Sequence, residues 1–327
     1  MDELEPGHTL DHYELMDVIA RSGMATIYRA RDLHNGHTVV LKVPHLQLAS
    51  DIVFHERFLR EEKIGQRLDH PAVIKVCEPE DKSRMYIAME YVEGERLTDR
   101  IRREKRLSVP AAIDFAIQIA DVLVYLHEND VVHRDLKPEN IMILPNGKLK
   151  LMDFGIALDT TARKMTWAGL SQTMGTPDYM APEQVKGLRG DVRTDIYSLG
   201  TILYEMLTGQ VPFPSENVYA AMRSKVREDP TPPRRLNHEI PPAIEEIILH
   251  ALEPAPEDRF ESALELREAL AHPESVVITN RAARQRPARR MAPWARTLLT
   301  LGAAVAVFAL LWSAVALLAR GLKPRGF

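Results

Sequence analysis

The residues of this chain best placed to do chemistry lie in two short runs. His133-Arg134-Asp135-Leu136-Lys137-Pro138-Glu139-Asn140 is followed by Asp153-Phe154-Gly155. Upstream stands Lys42, at the end of Val39-Val40-Leu41-Lys42. Between them comes Glu61, inside Arg57-Phe58-Leu59-Arg60-Glu61-Glu62, a charged stretch of helical character. Downstream lie Gly175-Thr176-Pro177 and Ala181-Pro182-Glu183. Carboxylates, an amide and lysines of this kind suit the transfer of a phosphoryl group. That reaction asks a protein for positioning, and for positive charge where the transition state is negative. Any one of these charges alone reads more simply as half of a surface salt bridge. The ordered set does not.

In type, order and spacing these runs resemble the serine/threonine protein kinases, in particular the membrane-bound bacterial kind, over roughly residues 10 to 272. The resemblance implies an α+β fold of two lobes, strand-rich in front and helical behind. It implies Mg-ATP as cofactor, two magnesium ions, and protein serine or threonine hydroxyls as acceptors, the reaction of a non-specific serine/threonine protein kinase. By position, Asp135 orients the acceptor hydroxyl and Lys137 charges the transferred phosphate. Asn140 and Asp153 hold the metal ions. Lys42 takes the α- and β-phosphates, fixed by an ion pair with Glu61, while Glu62 is expected to face solvent. Val40 and Ile27 would cover the adenine from above and Met142 from below, with Met89 as gatekeeper and backbone groups of Glu90 and Val92 at its edge.

The nucleotide-covering loop departs from the family. Where G-x-G-x-x-G is expected, the chain reads Ala20-Arg21-Ser22-Gly23-Met24-Ala25. If any of these positions needs a positive φ, strain of about 1–2 kcal/mol follows. Restoring glycine at positions 20, 22 and 25 is then expected to lower the KM for ATP. A nucleotide-poor pseudokinase or scaffold is the alternative that this loop supports. Residues 156 to 175 read as the activation segment. Arg134, next to Asp135, suggests its control by phosphorylation, with Thr166, Ser171 and Thr173 as candidate sites. By resemblance Thr176 touches Asp135 and Lys137, Glu183 pairs with Arg259, and Asp195 braces the catalytic loop.

The elements that must position these groups follow from periodicity. Tyr13 to Ile19, Ile27 to Arg31, Val39 to Val43 and Tyr86 to Tyr91 read as strands, with a helix running through Glu61. Ala111 to His127 carries an apolar stripe at helical spacing, and Asp195 to Leu207 is apolar nearly all round. Ile244 to Leu252 and Ala263 to Ala271 complete a domain expected at 10–272, with the small lobe at about 10–92 and the large lobe at 93–272. Cys77, the one cysteine, excludes an intramolecular disulfide. The twelve histidines show no ligand spacing.

Charge divides the chain. Up to residue 272 there are 33 basic and 45 acidic residues, net −12; beyond it there are nine and one, net +8. An acidic front without a basic stripe argues against nucleic acid as a partner. Residues 273–296 read as a basic, Ala- and Pro-rich linker. The run 297–319 holds 23 residues without a charge, about 35 Å as a helix and enough to cross a bilayer. Six arginines precede this run and three basic residues follow it. The front domain is therefore expected on the cytoplasmic side of a single-pass inner-membrane protein, with a short tail at 320–327. Gly302, Ala306, Ala309, Ser313 and Ala316 lie on one stripe of that helix, a candidate homodimer seam.

Overall fold

The computed structural model of the chain describes residues 4–48, 51–78, 82–153, 158–159 and 177–284. The first part is a six-stranded antiparallel sheet with one helix against it. Its strands are β1 (Thr9–Leu10), β2 (Tyr13–Arg21), β3 (Ala25–Asp32), β4 (Thr38–Pro44), β5 (Val76–Cys77) and β6 (Ile87–Glu90), in the order β1-β2-β3-β4-β6-β5. The helix is α1 (Ile52–Arg67). Alternation sets the faces. Tyr28, Ala30, Val39, Leu41 and Val43 are buried, while Ile27, Val40 and Lys42 between them are only partly covered. Register places Ile27 opposite both Ala20 and Lys42, and Val40 opposite Met89.

The second part is helical. It begins with β7 (Glu95–Arg96) and α2 (Leu97–Glu104), reached through Gly94. A Cβ on Gly94 would lie 2.4 Å from the carbonyl oxygen of Ile143, so this crossing between the two parts requires glycine. Next comes α3 (Val109–Glu128), whose entry is capped by the Ser108 side chain accepting the Ala111 N–H at 3.4 Å, with Pro110 in the first turn. Among the described residues α3 is the one helix long and apolar enough to cross a membrane. Here it lies at the centre of the lobe, with Phe115, Ile119, Leu123 and Leu126 in the main core. Strands β8 (Val131–Val132), β9 (Ile141–Ile143), β10 (Leu149–Leu151) and β11 (Leu158–Asp159) follow. β9 lies between β10 and β7, and β11 pairs with β8.

The remaining helices are α4 (Pro182–Val185), α5 (Val192–Thr208), α6 (Val218–Arg227), α7 (Pro242–Ala251), α8 (Ala263–Ala271) and α9 (Arg281–Arg284). α5 starts at an Asp191 cap and stops at Gly209, whose φ of 78° a side chain would resist. It is buried nearly all round, as its composition predicts. Helices α2 and α6 are not legible in the sequence, because both are short and polar and only Leu97, Ile101, Ala221 and Lys225 are buried in them.

Two sequence expectations need correction. The expected linker does not leave the domain at residue 273. Arg281 donates to Glu246 Oε1 at 2.7 Å and to Glu253 Oε1 at 3.0 Å, and Thr279 bonds Glu246, so the chain stays docked on α7 to residue 281. Composition hides this because ion pairs, rather than an apolar stripe, make the contact. Nor does Glu62 face solvent. It is buried and paired with Lys82, which also donates to the Tyr86 carbonyl oxygen at 2.8 Å. One residue on from Glu61 is about 100° round the helix, which here faces a polar neighbour rather than water. The expected membrane run, its small-residue stripe and the tail lie outside the described residues.

The large lobe is tied together by a buried ion pair. Arg259 donates to both carboxylate oxygens of Glu183, at 2.8 and 2.7 Å, and to the carbonyl oxygens of Glu253, Pro254 and Arg193. The Thr194 hydroxyl adds a bond to Glu183 at 2.9 Å. Burial alone would raise the Glu183 carboxyl, but the guanidinium outweighs it and holds the group below its ordinary value. An Arg259→Met variant leaves a buried carboxylate unpaired and is expected to lose about 3–5 kcal/mol of stability. Replacing Glu183 with Gln in that background should recover part of the loss, as read by urea denaturation.

Candidate active site

The cleft between the two parts gathers side chains from four segments. Lys42 on β4 reaches Glu61 Oε1 on α1 at 2.6 Å and Asp153 Oδ1, beyond β10, at 3.2 Å. Burial would lower the Lys42 ammonium, but Asp153 and Glu61 outweigh it and the group is raised. Burial pushes the Glu61 carboxyl up against the pull of Lys42. The pair therefore joins sheet, helix and cleft floor through one cation.

Below it, the segment between β8 and β9 brings together three more of the predicted residues. Lys137 Nζ lies 2.6 Å from Asp135 Oδ2. The Asn140 amide donates to the Asp135 carbonyl oxygen at 3.0 Å, leaving its own oxygen for a ligand. The loop is held from beneath by Asp195 on α5, which is fully buried. Its carboxylate accepts the His133 and Arg134 N–H groups at 2.8 Å each and bonds His127 Nε2 at 2.9 Å. Burial would raise Asp195, but these bonds and the neighbouring histidines hold it below its ordinary value.

Two non-glycine residues here have left-handed backbones, Arg134 at φ 64° and Asp153 at φ 61°. Each costs of the order of 1–2 kcal/mol. The cost is borne where the chain must turn a side chain toward the cleft, as strained backbone at functional sites does. No pattern of residue types in the sequence announces it. Arg134 is itself buried, its Nε and Nη1 lack hydrogen-bond partners, and its Nη2 donates to the Gly190 carbonyl oxygen at 3.3 Å. Burial, and then the nearby Arg189, lower the Arg134 guanidinium.

The other predicted positions fall as follows. Ile27, Val40, Met89, Glu90, Val92 and Met142 are all partly buried. Met89 and Val92 pack against the large core, and Met89 also touches the cluster of Phe58, Val76 and Ile87. The Glu90 N–H donates to the Lys75 carbonyl oxygen at 3.0 Å and its side chain pairs with Lys150. The candidate phosphorylation sites Thr166, Ser171 and Thr173, together with Phe154, Gly155 and Thr176, lie outside the described residues.

The strain expected of the glycine-poor loop is not found. None of Ala20, Arg21, Ser22, Gly23, Met24 and Ala25 has a positive φ. The turn is closed instead by Ser22, whose hydroxyl accepts the Ala25 N–H at 3.1 Å and donates to the Ala25 carbonyl oxygen at 3.0 Å. A serine hydroxyl does by hydrogen bonding what glycine does by freedom.

The histidines also hold a surprise. His12, Asp32 and His34 bring ligand atoms within 4.8 Å of one another. Yet both Asp32 oxygens already accept bonds, from the His34 N–H and the Asn35 amide, and the imidazoles stack 4.2 Å apart at 8°. Stacked parallel rings do not aim their in-plane lone pairs at one ion.

Residues 13–273 match the protein kinase domain. Over 269 residues the chain is 38% identical to serine/threonine-protein kinase PknB of Mycolicibacterium smegmatis, an alignment covering 80% of this chain and 43% of that protein. It is 36% identical over 267 residues to PknB of Mycobacterium tuberculosis, with the same coverage. PknB of Mycobacterium leprae is 37% identical over 270 residues, covering 80% and 43%. This chain belongs to the protein kinase family, and within it to the bacterial serine/threonine kinases of eukaryotic type. It spans under half the length of these relatives.

Two outcomes are expected. The triple variant Ala20→Gly, Ser22→Gly, Ala25→Gly loses the Ser22 turn bonds, so its KM for ATP should rise by roughly two- to fivefold, at about 1 kcal/mol for a lost hydrogen bond; steady-state kinetics decides this against the fall first expected. Asp195, with its folded pKa depressed, contributes stability that is complete above the unfolded value of about 3.9 and is lost as pH falls through the folded value. Urea midpoints measured from pH 7 to pH 3 should therefore fall less steeply in Asp195→Asn than in the parent.

Proposed function

We propose that the chain transfers the γ-phosphoryl group of Mg-ATP to serine and threonine hydroxyls of proteins, itself included, while tethered to the inner face of the cytoplasmic membrane. The observation that carries this is the ion pair of Lys42 and Glu61, with Asp153 at hydrogen-bond distance from the same ammonium. A surface salt bridge has no reason to draw three distant segments to one cation.

In this reading Lys42 holds the α- and β-phosphates, and Glu61 keeps the ammonium from swinging away. Asp135 orients the incoming hydroxyl and accepts its proton, while Lys137, already 2.6 Å from that carboxylate, turns to the transferred phosphate. The donor set fits magnesium: the free amide oxygen of Asn140 and the carboxylate of Asp153 are the hard oxygen ligands that ion takes. When bound, magnesium neutralises charge on the phosphates. Ile27, Val40, Met89 and Met142 enclose the adenine, with backbone groups of Glu90 and Val92 at its edge.

Arg134 supports regulation by phosphorylation. A buried guanidinium with unmade hydrogen bonds, near a second arginine, is a place for a doubly charged phosphate. The phosphate would come from Thr166, Ser171 or Thr173. The uncharged run at 297–319 supports the tether, and its small-residue stripe a homodimer. The pseudokinase alternative is less favoured, since none of residues 20–25 in the glycine-poor loop has a positive φ.

Two measurements test this reading. Purified protein incubated with labelled ATP should incorporate phosphate on serine or threonine only when magnesium is present. Asp135→Asn and Lys42→Met should each lower that rate by several orders of magnitude, and parent-level transfer by both variants would refute the site. Mass spectrometry should find phosphate within residues 156–176.

A further inference from the structure

Lys225 is the one fully buried lysine among the described residues, at 2% exposure, and nothing in the phosphotransfer site uses it. It sits on the inner face of α6, and its ammonium ends on backbone. Nζ donates to the carbonyl oxygen of Asp178 and, at 3.1 Å, to that of Met180. The carbonyl between them, on Tyr179, accepts from the Ser198 hydroxyl of α5 at 2.9 Å. Three successive carbonyls are thus pinned by two helices.

The segment so pinned has a definite place. It runs from Pro177 to Ala181, and Ala181 bonds the side chain of Gln184, whose amide donates at 2.9 Å to the carbonyl oxygen of Arg134. Backbone held by Lys225 at one end is therefore held to the catalytic loop at the other. In the kinase reading this stretch is the shelf on which the acceptor peptide lies. The charged and aromatic surroundings of the ammonium are the Asp178 carboxyl and the Tyr197 ring, 5.8 Å away. Its hydrogen bonds go to the two carbonyls rather than to that carboxylate. Burial pushes the ammonium down to about 7. The neutral amine would still have two N–H donors, one for each carbonyl, so the clamp does not depend on the charge.

A buried amine whose hydrogen bonds all go to backbone carbonyls is a costly way to fill a core position that methionine could fill. What lysine adds is two donors at the end of a long stem. We propose that Lys225 is a positioning residue for the acceptor peptide: it fixes the backbone of residues 178–180 and, through Gln184, sets that shelf relative to Asp135. The inference rests on the kinase reading above.

The test uses the full chain and, as acceptor, a synthetic peptide of its own residues 160–176. Lys225→Met is expected to raise the KM for this peptide roughly tenfold, since small misplacements of a bound reactant are costly. The KM for ATP and ATP hydrolysis without peptide should be unchanged. Amide hydrogen exchange at residues 178–181 should be faster in the variant than in the parent. If Lys225→Met does not fold, Ser198→Ala, which releases the Tyr179 carbonyl and otherwise only a bond to the Thr194 carbonyl of its own helix, should give the same pattern at smaller size. An unchanged peptide KM, or equal rises in the KM values for peptide and ATP, would overturn the inference. Failure of the parent to phosphorylate either the peptide or itself would instead overturn the kinase reading.

Discussion

The ammonium of Lys42 is the point on which the rest of this structure depends. It belongs to a strand, its partner Glu61 belongs to a helix, and Asp153 belongs to the chain emerging from the other lobe. No two of these are near in sequence. A cation this covered must keep its counter-charges. The sheet must therefore present Lys42 on its cleft face, α1 must lie so that Glu61 points inward, and β10 must deliver Asp153 at the right height. Alternation along β4 meets the first demand, and the turn of α1 between Glu61 and Glu62 meets the second. Gly94 allows the two parts to approach closely enough for the third.

The large lobe answers with a second set of constraints, all built on buried charge. Asp195 holds the backbone of the catalytic loop, and Glu183 with Arg259 holds the segment beyond it. Gln184 ties that segment to the loop. These groups lie among apolar side chains of α3, α5 and α7, which give the field around them its strength. The loop can then carry a left-handed arginine because its neighbouring N–H groups are fixed from below. Strain at Arg134 is sustained by the bonds that its own N–H and that of His133 make to Asp195.

Much of this is legible in the sequence, and for a physical reason. Charged residues that must meet across a fold leave fixed types at fixed spacings, so the resemblance to the protein kinases places Lys42, Glu61, Asp135, Lys137, Asn140 and Asp153 in one cleft by position. Long periodic helices such as α3 and α5 can be read to within three residues at each end. What escapes reading depends on conformation rather than type. The left-handed backbones at Arg134 and Asp153 leave no mark in a string of residues. The Ser22 turn misleads because a missing glycine shows a loss, while the hydrogen bonds that replace it do not show. Lys225 is hidden since a lysine on a short polar helix resembles any other surface lysine, and Glu62 is misplaced in solvent for a similar reason. The docked stretch after residue 272 reads as linker because it meets α7 through Arg281 rather than through an apolar stripe.

In the membrane reading proposed above, that last contact sets the length of a leash. If the uncharged run beginning at Thr297 lies in a bilayer, the chain between it and the docked Arg281 is fifteen residues. Its contour length is at most about 55 Å, against roughly 80 Å had the chain departed at residue 273. A catalytic domain on so short a lead would then sweep only a thin layer above the lipid. Acceptor proteins would then be chosen partly by address: a hydroxyl carried into that layer is met repeatedly, while the same hydroxyl on a freely diffusing protein is met seldom. Cutting the pairs of Arg281 with Glu246 and Glu253 would lengthen the lead without touching the cleft, and so widen the layer.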